Sequence, residues 1–111
     1  MRLAHFRPRK RPAPGKMNNL EKSYQQLLEH RKLAGEIVAY RYEAIKFRLA
    51  DKTFYTPDFM VTFEDRIEFH ETKGFMREDA NVKLKVVADL FPEFLFCLVT
   101  VKNKEWHFEY K

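Results

Sequence analysis

Asp58, Glu71 and Lys73 are the residues of this sequence whose types and spacing most clearly suggest chemistry. Asp58 follows Pro57 in Tyr55-Thr56-Pro57-Asp58-Phe59-Met60-Val61, and the other two close Ile67-Glu68-Phe69-His70-Glu71-Thr72-Lys73-Gly74. Side chains two apart on a strand share a face, so Ile67, Phe69, Glu71 and Lys73 point together, two apolar residues followed by two charged ones. On the opposite face Glu68, His70 and Thr72 read as solvated positions. Charges placed where the pattern demands core are costly unless paired, coordinated to a metal or lining a cleft. Two carboxylates at one point repel each other, and a hard divalent cation relieves that repulsion. Mg²⁺ takes a few carboxylate oxygens together with water and phosphate oxygens, and Asp58, Glu71 and the backbone carbonyl of Thr72 can supply the protein's share. Lys73 would then face a phosphate, where its ammonium orients or helps deprotonate a water and offsets developing charge. Gly74 lets a phosphate backbone approach closely, and Lys83 and Lys85 hold it by charge.

A structural alternative exists, in which Glu71 and Lys73 form a same-face salt bridge and Pro57-Asp58 only marks an edge strand. A bare Glu-x-Lys carries little weight. The conjunction carries more: Pro-Asp inside a β-run, a hairpin, apolar-x-apolar-x-Glu-x-Lys-Gly, then a helix.

The elements that must position these residues follow from periodicity. Asn18-Asn19 caps a helix over about Leu20 to Leu33, with Leu20, Tyr24, Leu27, Leu28 and Leu33 near one face, and Gly35 stops it. Ile37 to Leu49 reads as a strand bent near Glu43, with Ile45, Phe47 and Leu49 on one face and Lys46 and Arg48 on the other. A second strand spans Thr53 to Phe63 and a third Ile67 to Lys73, giving a three-strand antiparallel meander. A helix over about Arg77 to Leu90 places Val82, Leu84 or Lys85, Val86, Val87 and Leu90 in a helical pattern closed by Pro92. Phe94 to Val101 is an apolar strand, and Glu105 to Tyr110 alternates as the last. The order α-β-β-β-α-β-β, with a helical crossover into an interior strand, implies an α/β (α+β) fold in which helices flank a central mixed sheet.

At 111 residues and 45% hydrophobic content the chain has the size and composition of one domain, assigned to 19–111. The net charge of +5 is unevenly spread: residues 1–18 hold Arg2, Arg7, Arg9, Lys10, Arg11 and Lys16 and no acid, while the remaining 93 hold 15 basic and 16 acidic side chains. With Pro8, Pro12, Pro14 and Gly15, residues 1–18 read either as a flexible cationic arm attracted to phosphates through Arg7, Arg9, Lys10, Arg11 and Lys16, or as a solubilising terminus. Cys97 lies in an apolar run as a small buried hydrophobe, neither disulfide nor zinc ligand. No run approaches the roughly 18 to 20 apolar residues that span a bilayer, and no apolar segment follows the first arginines, so a soluble chain without a standard secretion signal is expected. His5, His30, His70 and His107 lack ligand spacing, and no Gly-rich phosphate loop or Ser-His-Asp set appears. The aromatics Phe54, Tyr55, Phe59, Phe63, Phe91, Phe94, Phe96, Trp106 and Phe108 read as core.

From about Asn18 to Val101 the sequence resembles the PD-(D/E)xK nuclease superfamily, and within it small phage-encoded endonucleases of the Holliday-junction-resolvase type. The resemblance rests on Pro57-Asp58 and Glu71-Thr72-Lys73. It implies a restriction-endonuclease-like core and a Mg²⁺- or Mn²⁺-dependent endodeoxyribonuclease leaving 5′-phosphates. Branched DNA, a homodimer with paired sites, and the cytoplasm of a bacterial host are implied with it. Many such proteins carry a glutamate on the first helix, and Glu21 stands at the matching place, which implies a catalytic role for it in holding the metal or a water, although an acid there is also favoured by the helix dipole. The rival expectation is a nucleic-acid-binding module that keeps the fold and does not cut.

Overall fold

Asn18 sets where the chain first becomes helical. In the computed structural model, which describes residues 16–74 and 78–111, the Asn18 side chain accepts from the Glu21 N–H at 2.7 Å, and the Asn18 N–H donates to Glu21 Oε1 at 2.9 Å. This capping box starts α1 (Asn19–Leu33). Gly35, at φ +80°, ends it by donating to the Lys32 carbonyl. Tyr24 and Leu28 are fully buried along the helix, whereas Leu33, expected with them, is 77% exposed. Nine residues at 100° each carry Leu33 to the side opposite Tyr24.

The remaining elements are β1 (Ala39–Tyr42), β2 (Phe47–Ala50), β3 (Thr53–Tyr55), β4 (Phe59–Thr62), β5 (Ile67–Lys73), α2 (Glu78–Leu90), β6 (Leu95–Lys102) and β7 (Glu105–Tyr110). Five strands form one mixed sheet in the order β1-β4-β5-β6-β7, in which only β5 and β6 are parallel, while β2 and β3 form a separate hairpin. The molecule is thus an α+β fold. The strand expected over 37–49 is two strands, and so is the one expected over 53–63. Glu43 takes a left-handed backbone at φ +49°, which costs a non-glycine residue on the order of 1 kcal/mol. Asp58 lies across from it, and the preceding Pro57 has no N–H to give to the β5 ladder. The long hairpin therefore leaves the sheet at these two points, and the expected meander survives as β1, β4 and β5. The expected start of the second helix at Arg77 lies outside the described residues.

One face of the sheet packs Phe69, Phe96 and Leu98 against Phe47 and Tyr55 of the hairpin and Ala80, Leu84 and Val87 of α2. The other packs Phe59, Val61, Cys97 and Val99 against Tyr24 and Leu28 of α1 and against Ile37. Burial pushes the Cys97 thiol up to about 12. On α2 the buried line is Ala80, Leu84 and Val87; Val82, Val86 and Leu90 of the expected pattern are exposed, as is Phe108 on β7. Among the described residues no helix is long and apolar enough to cross a membrane.

Glu68, His70 and Thr72 are not solvated, because α1 covers their face: all three are buried. Their polarity is met by partners distant in sequence. Tyr24 Oη contacts His70 Nδ1, and His70 Nε2 lies 2.9 Å from Glu68 Oε1. Desolvation lowers the His70 pKa, so the ring is neutral near pH 7, and the tautomer satisfying both contacts carries its proton on Nε2. Tyr110 donates to Glu68 Oε1 at 2.9 Å and Arg66 Nε to Oε2 at 2.6 Å. Burial raises the Glu68 pKa, but the donors from His70, Arg66 and Tyr110 outweigh it and bring the carboxyl down to about 2. The Arg66 guanidinium also lies over the Phe63 ring, 3.9 Å from its centre.

Two outcomes follow. Phe69 is 1% exposed and its ring lies 4.9, 5.3 and 5.4 Å from those of Phe47, Phe94 and Phe96. Phe69→Ala should therefore cost about 3–5 kcal/mol in a urea unfolding titration. A histidine with a depressed folded pKa loses stability as pH falls below its unfolded value near 6.5, and a carboxylate held at about 2 loses stability between its unfolded value of 4.5 and that pH. His70 and Glu68 should each lower the unfolding free energy on acidification, the first below about pH 6.5 and the second below 4.5, and the difference between the parent chain and Glu68→Gln, followed against pH, should isolate the lower contribution.

Candidate active site

The site follows from where the β4–β5 ladder stops. Its last pair is Phe59↔His70. Continuing the register sets Asp58 opposite Glu71 and Pro57 opposite Thr72. A ladder would have Thr72 give its N–H to residue 57 and receive one in return. The N–H and C=O of one strand residue point to the same edge, and Pro57 has no N–H to return. Two consequences are built into this junction. The Thr72 N–H is taken instead by the Asp58 side chain, 2.9 Å from Oδ2, and the Thr72 hydroxyl donates to the same oxygen at 2.9 Å. The Thr72 carbonyl, on that same edge, has no ladder donor from Pro57.

Glu71 stands on the face of the hairpin and α2. Its Oε1 accepts from the Tyr55 hydroxyl at 2.7 Å and from the Asp58 N–H at 3.3 Å. The Asp58 carbonyl accepts from the Glu43 N–H at 2.8 Å, so the turn carrying Asp58 is tied to β1 as well. From the α1 face, Glu21 brings a third carboxylate: its Oε1 accepts from the Asn18 N–H and, at 2.9 Å, from the Tyr42 hydroxyl. The dipole and the capping box give Glu21 a structural purpose as well. All three acids are buried.

The crowded charges act on one another. Asp58 is raised well above the ordinary carboxylate range, first by burial, then by the charges of Glu71 and Glu21; the Thr72 donors only partly oppose this. Burial and the Glu21 hydrogen bond likewise raise the Tyr42 phenol. One residue before Pro57, the Thr56 hydroxyl oxygen is buried with no hydrogen-bond partner among the described residues. Lys73, half-buried at the end of β5 on the face of Glu71, makes no ion pair among the described residues. The same-face Glu71–Lys73 bridge of the structural alternative is not formed.

A divalent cation fits this donor set chemically. Buried like charges already crowded at one point, beside a carbonyl without a ladder donor, are what a small hard cation neutralises, and Mg²⁺ commonly takes only one or two carboxylates from a protein. Among the described residues, no group of three or more His, Cys, Asp or Glu side chains is gathered into a metal cage as it stands. Asp58, Glu71 and the Thr72 carbonyl are the residues that would hold the ion.

Lys85 is exposed and Lys83 half-buried on α2, and Lys16 is exposed before α1. Arg7, Arg9, Lys10 and Arg11 lie outside the described residues. Sequence reasoning missed Tyr55, Tyr42 and the Thr72 hydroxyl, which hold one carboxylate each. A tyrosine in a β-run reads as core, and only its alignment opposite an acid would have singled it out.

A carboxyl whose folded pKa is raised binds its proton more tightly when folded, so its contribution to stability falls as pH rises from the unfolded value of 3.8 through the raised one. Asp58→Asn keeps an oxygen for the Thr72 donors and removes the charge. It should be more stable than the parent chain at pH 7 and lose that advantage toward pH 4, as read from urea midpoints at the two pH values.

Compared with protein-family models, with curated proteins and with solved structures, the chain matches none.

Proposed function

We propose that this chain is a Mg²⁺- or Mn²⁺-dependent endodeoxyribonuclease of the PD-(D/E)xK type, built on a restriction-endonuclease-like core and acting on branched DNA as a homodimer. The observation that carries this reading is the convergence of Asp58 and Glu71 on the edge of β5 where Pro57 deprives the Thr72 carbonyl of its ladder donor, with Lys73 one residue beyond. The succession of α1, the β1-β4-β5 meander, α2 and β6 supports the core. DNA, its branched form, and the dimer rest on the motif's resemblance and on the need for paired cuts across a junction.

Asp58, Glu71 and the Thr72 carbonyl hold the cation, which when bound lowers the pKa of water and offsets charge on a phosphate. Tyr55 and the Thr72 hydroxyl fix the two carboxylates in place before substrate arrives, so little reorganisation is left for the reaction. Lys73 offers its ammonium to the scissile phosphate and to the attacking water, aligning the water for in-line displacement and stabilising the charge that develops. Glu21, fixed by Asn18 and Tyr42, adds negative charge beside Asp58 and strengthens the preference for a cation. Lys16, Lys83, Lys85 and the basic residues of the N-terminal arm contact the phosphate backbone without reading sequence.

The test is incubation with linear duplex, single-stranded and four-way-junction DNA, with and without Mg²⁺ or Mn²⁺. Cleavage should need the metal and favour the junction, and Lys73→Ala and Asp58→Asn should each lower the rate by roughly a hundredfold or more. Undiminished cleavage by both variants contradicts the mechanism. Salt-sensitive DNA binding with no cleavage in either metal would instead assign the chain to the non-catalytic binding modules.

A further inference from the structure

The β2–β3 hairpin has no partner strand in the main sheet, and its position and charge are unexplained by packing alone. Its inner side is accounted for: Phe47 and Tyr55 are buried against Phe69, Phe96 and Leu84, with Leu49 packed beside them. This holds the hairpin on the sheet face that carries Glu71 and Lys73. The Tyr55 hydroxyl ties it directly to Glu71 at 2.7 Å. Its outer side is cationic. Lys46, Arg48 and Lys52 are all exposed. Lys46 Nζ lies 5.4 Å from the centre of the buried Phe54 ring, and Phe54 is the cross-strand partner of Arg48, so the two exposed cations lie on the same side of the hairpin, over that ring. The only acid there, Asp51, is 3.6 Å from Arg48, with both side chains mostly exposed, a pairing worth little in water.

Among the described residues the excess of positive charge is local to the hairpin. Residues 44–56 hold three basic side chains and one acidic, whereas the other described residues hold twelve basic and fifteen acidic. A cationic hairpin beside described residues that are otherwise net acidic, rooted at a cluster of carboxylates, matches a partner that is a polyanion and must be brought up to those carboxylates against their own field.

We propose that the β2–β3 hairpin is a nucleic-acid contact in which Lys46, Arg48 and Lys52 grip the phosphate backbone alongside Glu71 and Lys73. The inference rests on the nuclease reading above. The guanidinium and the two ammonium groups bind phosphates irrespective of base sequence, and displacement of their counterions makes the contribution depend on salt.

The test uses the full chain with Lys46, Arg48 and Lys52 all changed to Ala. The three side chains are exposed, and an unchanged thermal midpoint checks that the fold is intact. Affinity for a fluorescein-labelled DNA duplex is measured by anisotropy across a salt series, with Lys32→Ala, at the far end of α1, as control. The slope of log affinity against log salt should fall by about two to three for the triple variant, near 0.9 per lost phosphate contact, and stay unchanged for the control. With cleavage followed in parallel, KM for DNA should rise while kcat at saturating DNA is retained. A parent chain that binds and cuts DNA, beside a triple variant with the same slope, overturns the hairpin assignment alone. A parent chain that neither binds nor cuts DNA overturns the nuclease reading and the hairpin assignment with it.

Discussion

Pro57 removes one hydrogen-bond donor from the middle of a sheet, and the arrangement around the site follows from that loss. Every buried backbone donor and acceptor must find a partner, since leaving one unmet costs about 1–3 kcal/mol. The Asp58 carboxylate steps in for the missing strand by accepting the Thr72 N–H, which fixes the acid at the sheet's end. The same missing donor leaves the Thr72 carbonyl without its ladder bond. Glu43, in a left-handed conformation, closes the junction from β1 by donating to the Asp58 carbonyl. A strained backbone, a proline in a β-run and an acid serving as a surrogate strand thus meet at one place. Such costs persist only where surrounding packing over-determines them.

That packing is a sheet buried on both faces. β5 sits between an antiparallel and a parallel neighbour, with the hairpin and α2 on one side and α1 on the other. The two faces bear different chemistry. Phe69 anchors an aromatic cluster beneath Glu71, whereas Glu68 and His70 form a polar lattice with Tyr24, Tyr110 and Arg66 that joins α1 and β7 to the strand. The lattice positions α1, and so brings Glu21 toward Asp58 from the opposite face. Carboxylates from both layers therefore meet at the C-terminal end of β5, although their mutual repulsion opposes folding near neutral pH.

Much of this was legible in the sequence where a single residue decides the outcome locally. Asn18 and Gly35 delimit α1, and the alternation of Ile67, Phe69, Glu71 and Lys73 gives the strand that bears the site. The hairpin was not legible, because Phe47, Leu49, Phe54 and Tyr55 have the same strand propensity whether they pair in the main sheet or leave it; only Pro57 hints at the break. The burial of Glu68, His70 and Thr72 was hidden for another reason. Their polar partners lie as far as 46 residues away, and local alternation assigns such residues to water. A parallel interior strand with helices on both sides is the clue that would have corrected it. The phenols of Tyr42 and Tyr55 are hidden in the same way behind their rings.

The central claim is that the crowded acids beside Thr72 form a divalent-cation site. Calorimetric titration of Mn²⁺ into the full chain, and into the chain carrying Asp58→Asn with Glu71→Gln, tests it most directly and needs no substrate. The account predicts saturable binding in the parent chain that is lost in the double variant. Binding that is equal in the two, or no saturable binding in the parent chain, would contradict it.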